Sequence, residues 1–337
     1  MNKLGGLCVV VALSAAACGD NNKANVDASV DASLVSVERG RYIMNTLGAC
    51  TFCHTPLNPD GTRDNTRLLA GVDCFLDIIP ADPNVGCVSS RNLTNHPTGL
   101  ANATDQQIRD AMRIGKRTDG KTLIPIMPYW VFHNMTDEDI DSIIAYLRTV
   151  PGVDNQVAPN QQPLAALNDA PPATPLDPAS IPMPINPTAS AMRGRYLSSM
   201  AGLCMDCHSP DNIQNNMPQF FPQPIDASRP FAGGRVFTKQ DLGLVAPGFT
   251  YPDTIAVRNV TTDATGLEGW TVDEIKDAIA NGKDRDGKAV CAGTHGSLIS
   301  PYAALDPQDL EDIATYISLL PPIANDTAPN CEGPTVP

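Results

Sequence analysis

Two short runs of cysteine and histidine carry the chemistry of this chain: Cys50-Thr51-Phe52-Cys53-His54 and Cys204-Met205-Asp206-Cys207-His208. In a Cys-x-x-Cys-His run both thiols lie on one turn, spaced to add to the two vinyl groups of a single haem. The His beside the second thiol then aims its imidazole at the iron as proximal ligand. One such run in a chain of 337 residues can be accidental. Two runs, each inside a longer repeated context, point to two covalently attached haem c groups.

The elements that must position these residues are written twice. RGRYIMNTLGACTFCH at 39–54 matches RGRYLSSMAGLCMDCH at 193–208, an offset of 154. RNLTNHPTGL at 91–100 matches RNVTTDATGL at 258–267, and GKRTDGK at 115–121 matches GKDRDGK at 282–288, both at an offset of 167. DIDSIIAYL at 139–147 pairs with DLEDIATYI at 309–317 at an offset of 170. Each copy predicts a helix leading into the Cys-x-x-Cys-His run. A second helix should open at Thr104 or Thr271, where Gln107 or Glu274 completes a capping box. A last helix should start near Thr136, or at Asp306 with Pro307 in its first turn. Its apolar positions recur at helical spacing: Ile140, Ile143, Ile144 and Leu147 in one copy, Leu310, Ile313, Ile317 and Leu320 in the other. Between the copies, residues 151–190 are rich in Pro and predict an extended, semi-rigid connection along the surface.

Composition narrows the setting. A formal charge of −14 argues against nucleic acid and favours a basic redox partner. Aromatics are few, with 2 Trp, 7 Tyr and 8 Phe, which suits a core partly built from haem. The first 17 residues, apolar from Leu4 to Ala17 after Lys3, read as an export signal too short to remain as a span. Ala15-Ala16-Ala17 before Cys18 resembles a bacterial lipoprotein cleavage site, with plain secretion as the alternative. Either reading places the protein outside the cytoplasm, on the periplasmic side. A lipid on Cys18 would anchor it to a membrane, and residues 18–33 would form a disordered tether. Of the ten Cys, those outside the signal, the lipid site and the haem runs are Cys74, Cys87, Cys291 and Cys331. An even remainder in an exported chain predicts disulfides, and Cys74–Cys87 with Cys291–Cys331 keeps each bridge within one half.

RGRY before the haem run, the RN-x-T…TGL and GK…DGK motifs, and Met-Pro-Tyr ahead of an acidic helix together resemble class I-like cytochrome c domains. The likeness is greatest to the multihaem cytochrome subunits that take electrons from membrane-bound dehydrogenases, and it covers roughly 35–150 and 191–322. The resemblance implies a mostly α-helical chain of two tandem cytochrome c domains, each wrapping one haem. Their expected limits are 34–150 and 191–325, with a tail at 326–337 that contains Cys331. The resemblance also places Met127 where the family carries its axial ligand, opposite His54. Soft thioether sulfur suits haem iron, which favours the ligand reading over the alternative that Met127 fills the core.

The second copy departs from this pattern. Counting forward from Gly287 as from Gly120, the Met127 position becomes Thr294, and the last Met of the chain is Met217. His295, between Thr294 and Gly296, is the residue expected to face His208 across the second iron. Cys291 as thiolate, Met217 from the loop after the haem run, and an open five-coordinate site remain as alternatives. Arg91 and Arg258, heading the repeated RN motif, are expected near haem propionates. His96 and His133 have no counterparts in the repeat and read as surface residues. The function expected is single-electron relay between a dehydrogenase-type donor and a respiratory acceptor. The alternative is an enzyme of the peroxidase or sulfur-oxidoreductase kind, using the site without Met.

Overall fold

The computed structural model describes residues 35–77, 82–214, 217–218, 224–238, 254–288, 290, 295 and 301–327. The first copy contains α1 (Val37–Asn45), α2 (Cys50–His54), the hairpin β1 (Val72–Asp77) with β2 (Cys87–Ser90), then α3 (Asp105–Ile114), α4 (Tyr129–Phe132) and α5 (Asp137–Leu147). The second contains α6 (Ala189–Ser199), α7 (Cys204–His208) and two short hairpins, β3 (Ile213–Gln214) with β4 (Met217–Pro218) and β5 (Val236–Thr238) with β6 (Thr254–Ala256). It closes with α8 (Val272–Ala280), a 3-10 turn at Pro301–Ala304 and α9 (Pro307–Ile317). The short strands fall in stretches where the sequence shows no alternating pattern. Among the described residues no helix is long and apolar enough to cross a membrane.

The helix starts follow the local chemistry. Ser36 caps α1 through the Arg39 amide, and Thr188 caps α6 through that of Ala191. Both predicted capping boxes form, Thr104 with Gln107 and Thr271 with Glu274. Thr136 caps α5, and Asp306 caps α9 with Pro307 in its first turn. In each copy the first helix crosses the last at very close range. A Cβ on Gly40 would overlap the Ser142 carbonyl, and one on Gly194 the Asp312 carbonyl. The RG pair therefore lets two backbones meet.

The halves share one core. Ile43, Leu47, Trp130 and Ile140 of the first copy are continuous with Leu197, Phe231, Ile313 and Tyr316 of the second. Their contact is reciprocal: the Tyr42 hydroxyl donates to Asp309 at 2.8 Å, and the Tyr196 hydroxyl donates to Asp139 at 2.7 Å. Each buried carboxylate is also held by the arginine of its own half. Arg39 makes two bonds to Asp139 at 2.8 and 3.0 Å, and Arg193 pairs with Asp309 and Asp312.

Before α6 the Pro-rich connector holds no regular helix or strand beyond two 3-10 turns, and rather than running only along the surface it buries Ala173, Leu176 and Ile181 in the main core. It belongs to the first half more than its composition indicates. The Ala173 amide donates to the Tyr129 hydroxyl at 2.7 Å, and Leu176 N to Trp130 O at 2.8 Å. The repeat also runs past Val150. Asn155 donates to the Ala70 and Gly71 carbonyls, as Asn325 does to those of Ala232 and Gly233. Cys74 and Cys87 form the expected disulfide, tying β1 to β2 with Cα atoms 4.7 Å apart. Cys291 and Cys331 lie outside the described residues, as do the signal, the tether and Cys18.

Candidate haem-binding sites

The two Cys-x-x-Cys-His runs form α2 and α7, each a single turn entered without a side-chain cap. All four thiols are half-buried and unbridged. Burial pushes Cys50, Cys204 and Cys207 up to about 12, and Cys53 to about 11 with Arg63 opposing the rise. A pocket that penalises a thiolate suits a thioether, which carries no charge.

The histidines are held alike. His54 Nδ1 lies 2.7 Å from the Arg91 carbonyl and His208 Nδ1 2.9 Å from that of Arg258. A carbonyl only accepts, so Nδ1 carries the proton and Nε2 is left as the bare nitrogen of each ring. Burial lowers the pKa of both, keeping the neutral form that binds metal. Behind each ring a glycine brings the next strand close: Gly71 N donates to His54 O at 2.8 Å and Gly233 N to His208 O at 2.6 Å. Both glycines have positive φ, +81° and +68°, and a Cβ at either would overlap the backbone at Asn92 or Asn259.

Those asparagines explain the RN-x-T motif. Asn92 Oδ1 accepts from Thr94, and its amide donates to Val153 O at 2.9 Å. Asn259 repeats this with Thr261 and Ile323 O. The motif thus sets the loop whose Arg carbonyl orients the ligand histidine. Arg91 itself is half-buried, its pKa lowered by burial and by Arg117. Among the described residues neither Arg91 nor Arg258 has an ion-pair partner, so both guanidiniums can take an anionic group such as a propionate.

Met127 sits half-buried on the turn from Ile124 into α4, against the main core. In the second half, His295 comes to His208: the ring centroids are 6.1 Å apart with planes at 32°. Two metal–imidazole bonds of about 2 Å, each extended by roughly 1 Å to the ring centre, give a centroid spacing of about 6 Å. The pair therefore fits one metal between its rings. His295 Nδ1 is buried without a hydrogen-bond partner, and burial, with His208 beside it, lowers the pKa to about 4. The other histidines bond locally, His96 to Thr98 and His133 to the Arg113 carbonyl.

Packing also revises one register. α4 lies on α3 as the Pro301–Ala304 turn lies on α8. Pro128-Tyr129 thus corresponds to Pro301-Tyr302, and the counterpart of Met127 is Ser300 rather than Thr294. Thr294, Ser300 and Cys291 lie outside the described residues. Two residues at the second site were missed in the sequence. Tyr302 lies beside His295 with ring centroids 5.4 Å apart, and only its shared Pro-Tyr pair could have drawn attention to it. Arg235 bonds the carbonyl and carboxylate of Asp206 inside the second motif and pairs with Asp211. The acid within that motif was its one signal.

The thiols, the oriented imidazoles and the two arginines fit covalently bound haem c. This is the site of a c-type cytochrome, the electron-transfer class, and the comparisons agree. The chain is 27% identical over 313 residues to the cytochrome c subunit of a quinone alcohol dehydrogenase from Gluconacetobacter polyoxogenes, a match covering 87% of this chain and 58% of the relative. It is 30% identical over 298 residues to one subunit of the nicotinate dehydrogenase of Pseudomonas putida, covering 86% and 22%. A diheme cytochrome c-type protein of Cereibacter sphaeroides is 31% identical over 125 residues, covering 35% and 36%. The chain is similar to the cytochrome c subunits of dehydrogenases and spans just over half of the first of these relatives. No protein-family model matches it.

Proposed function

We propose that the chain is a dihaem c-type cytochrome that relays single electrons between a dehydrogenase-type donor and a respiratory acceptor. It works on the periplasmic side, exported and anchored by a lipid on Cys18. The observation that carries this reading is the duplicated ligand cradle, in which His54 and His208 each present a bare Nε2 because an Arg carbonyl holds Nδ1. Haem, when bound, supplies reversible one-electron redox chemistry.

The chain fixes that chemistry in place. Cys50 and Cys53, and Cys204 and Cys207, would hold one haem each as thioethers. His54 with Met127 and His208 with His295 would supply the iron ligands, and Arg91 and Arg258 would take up propionate charge. Met/His ligation raises a potential, so the first site is the higher of the two and the second is the natural entry point. The similarity to dehydrogenase subunits supports a dehydrogenase as donor.

A pyridine haemochrome assay on the matured protein should give two haems per chain, falling to one in a Cys204→Ala/Cys207→Ala variant. Near-infrared magnetic circular dichroism of the oxidised protein should give one His/Met band and one bis-His band. A high-spin signal with rapid cyanide binding at one site would overturn the carrier reading in favour of an enzyme.

A further inference from the structure

The two imidazoles facing each other in the second half are held differently. A histidine bonded to metal through one nitrogen still turns about that bond, and the usual restraint is a hydrogen bond from its other nitrogen. His208 has one, from Nδ1 to the Arg258 carbonyl at 2.9 Å. His295 does not: its Nδ1 is buried with no hydrogen-bond partner. The Ile279 backbone makes at most a weak hydrogen-bond contact with the ring, short of full geometry at Nδ1, which leaves its plane free to turn. Something else must stop that ring from turning. Among the described residues, the aromatic side chain against it besides His208 is Tyr302, at a centroid separation of 5.4 Å with ring planes at 32°.

We infer that Tyr302 is a positioning residue: packed against His295, its ring sets the plane of that imidazole relative to His208. This rests on the reading of His208 and His295 as the axial pair of the second haem. A ring pair at this separation is in the range of favourable aromatic contact, and it restrains rotation where a hydrogen bond is missing. The surroundings suit an apolar restraint: Tyr302 is half-buried and packed against the main core. The first half shows the same Pro-Tyr pair in another role. There the Tyr129 hydroxyl takes the connector amide of Ala173 at 2.7 Å, and the proposed ligand is a Met two residues before it.

The test is electron paramagnetic resonance of the oxidised, haem-loaded protein carrying Tyr302→Phe, Tyr302→Leu or His295→Ala. For a bis-imidazole site the low-spin g-values report the angle between the ligand planes. Tyr302→Phe keeps the ring and should keep the second site's g-values. Tyr302→Leu fills the space without a flat ring and should shift or broaden those g-values, with a parallel shift in that site's potential. Loss of thermal stability in Tyr302→Leu with unchanged g-values and potential would overturn the inference, leaving Tyr302 as core filling. His295→Ala tests the underlying reading: a surviving bis-imidazole signal would sink the ligand assignment, whatever Tyr302 does.

Discussion

Asp139 and Asp309 are buried carboxylates, each bonded by an arginine from its own half and a tyrosine from the other. Hydrogen bonds to a charged, buried acceptor are among the stronger ones, and their loss leaves that acceptor short of a partner. Tyr42→Phe should lower stability by about 2 kcal/mol, read as a drop in urea midpoint, with Arg193 still holding Asp309. Both phenols are pushed above their usual value of 10.0, chiefly by burial and then by the facing carboxylate. A raised folded-state pKa means that this contribution is complete below 10.0 and is lost as pH rises through the folded value. Stability should fall in alkali, and the Tyr42→Phe/Tyr196→Phe double variant should show a shallower alkaline fall. The repeated RGRY was plain in the sequence, but its job was not. Tyr42 meets a residue 267 positions away, and no local pattern encodes such a partner. The haem-run cysteines and histidines were legible because attachment chemistry demands a fixed local spacing.

At the level of elements, the helices with capping boxes could be read directly, since a cap is a contact between residues three apart. The hairpins could not, because their strands are short and are fixed by the Cys74–Cys87 bridge or by the ligand loops rather than by alternation. The connector was legible as extended but not as part of the first half, whose Tyr129 and Trp130 it satisfies. Gly194→Ala tests the close crossing of α6 and α9. A methyl group there has nowhere to go but into the Asp312 carbonyl, and a cost of about 3 kcal/mol or more is expected in thermal melts. Asn155→Ala tests the return segment. It removes the bonds to Ala70 and Gly71, beside the amide that holds His54 O, and should cost roughly 1–2 kcal/mol. The same variant should broaden the first site's spectrum and leave the second site's unchanged.

Across the whole molecule, the two halves share one continuous core, and the ligand sets proposed for them are unequal. A potentiometric titration should therefore resolve two potentials. Replacing His295 with Met should raise the lower one toward the other, because a thioether favours reduced iron more than an imidazole does. Equal potentials in the unaltered protein would contradict the assigned ligands. That there are two halves was written in the repeat. That the second departs at its ligand was visible too, though the register of the departure was not, because its loop differs in length. How the halves face each other had no signal in either copy alone. Yet each half carries both members of the contact, a tyrosine on its first helix and a carboxylate on its last. Such a face matches its own copy as well as its neighbour. The chain therefore has the form of a two-fold dimer written into one polypeptide. Because each half has its own sequence, one can take a different metal ligand without the other, which no symmetric pair of identical chains could do.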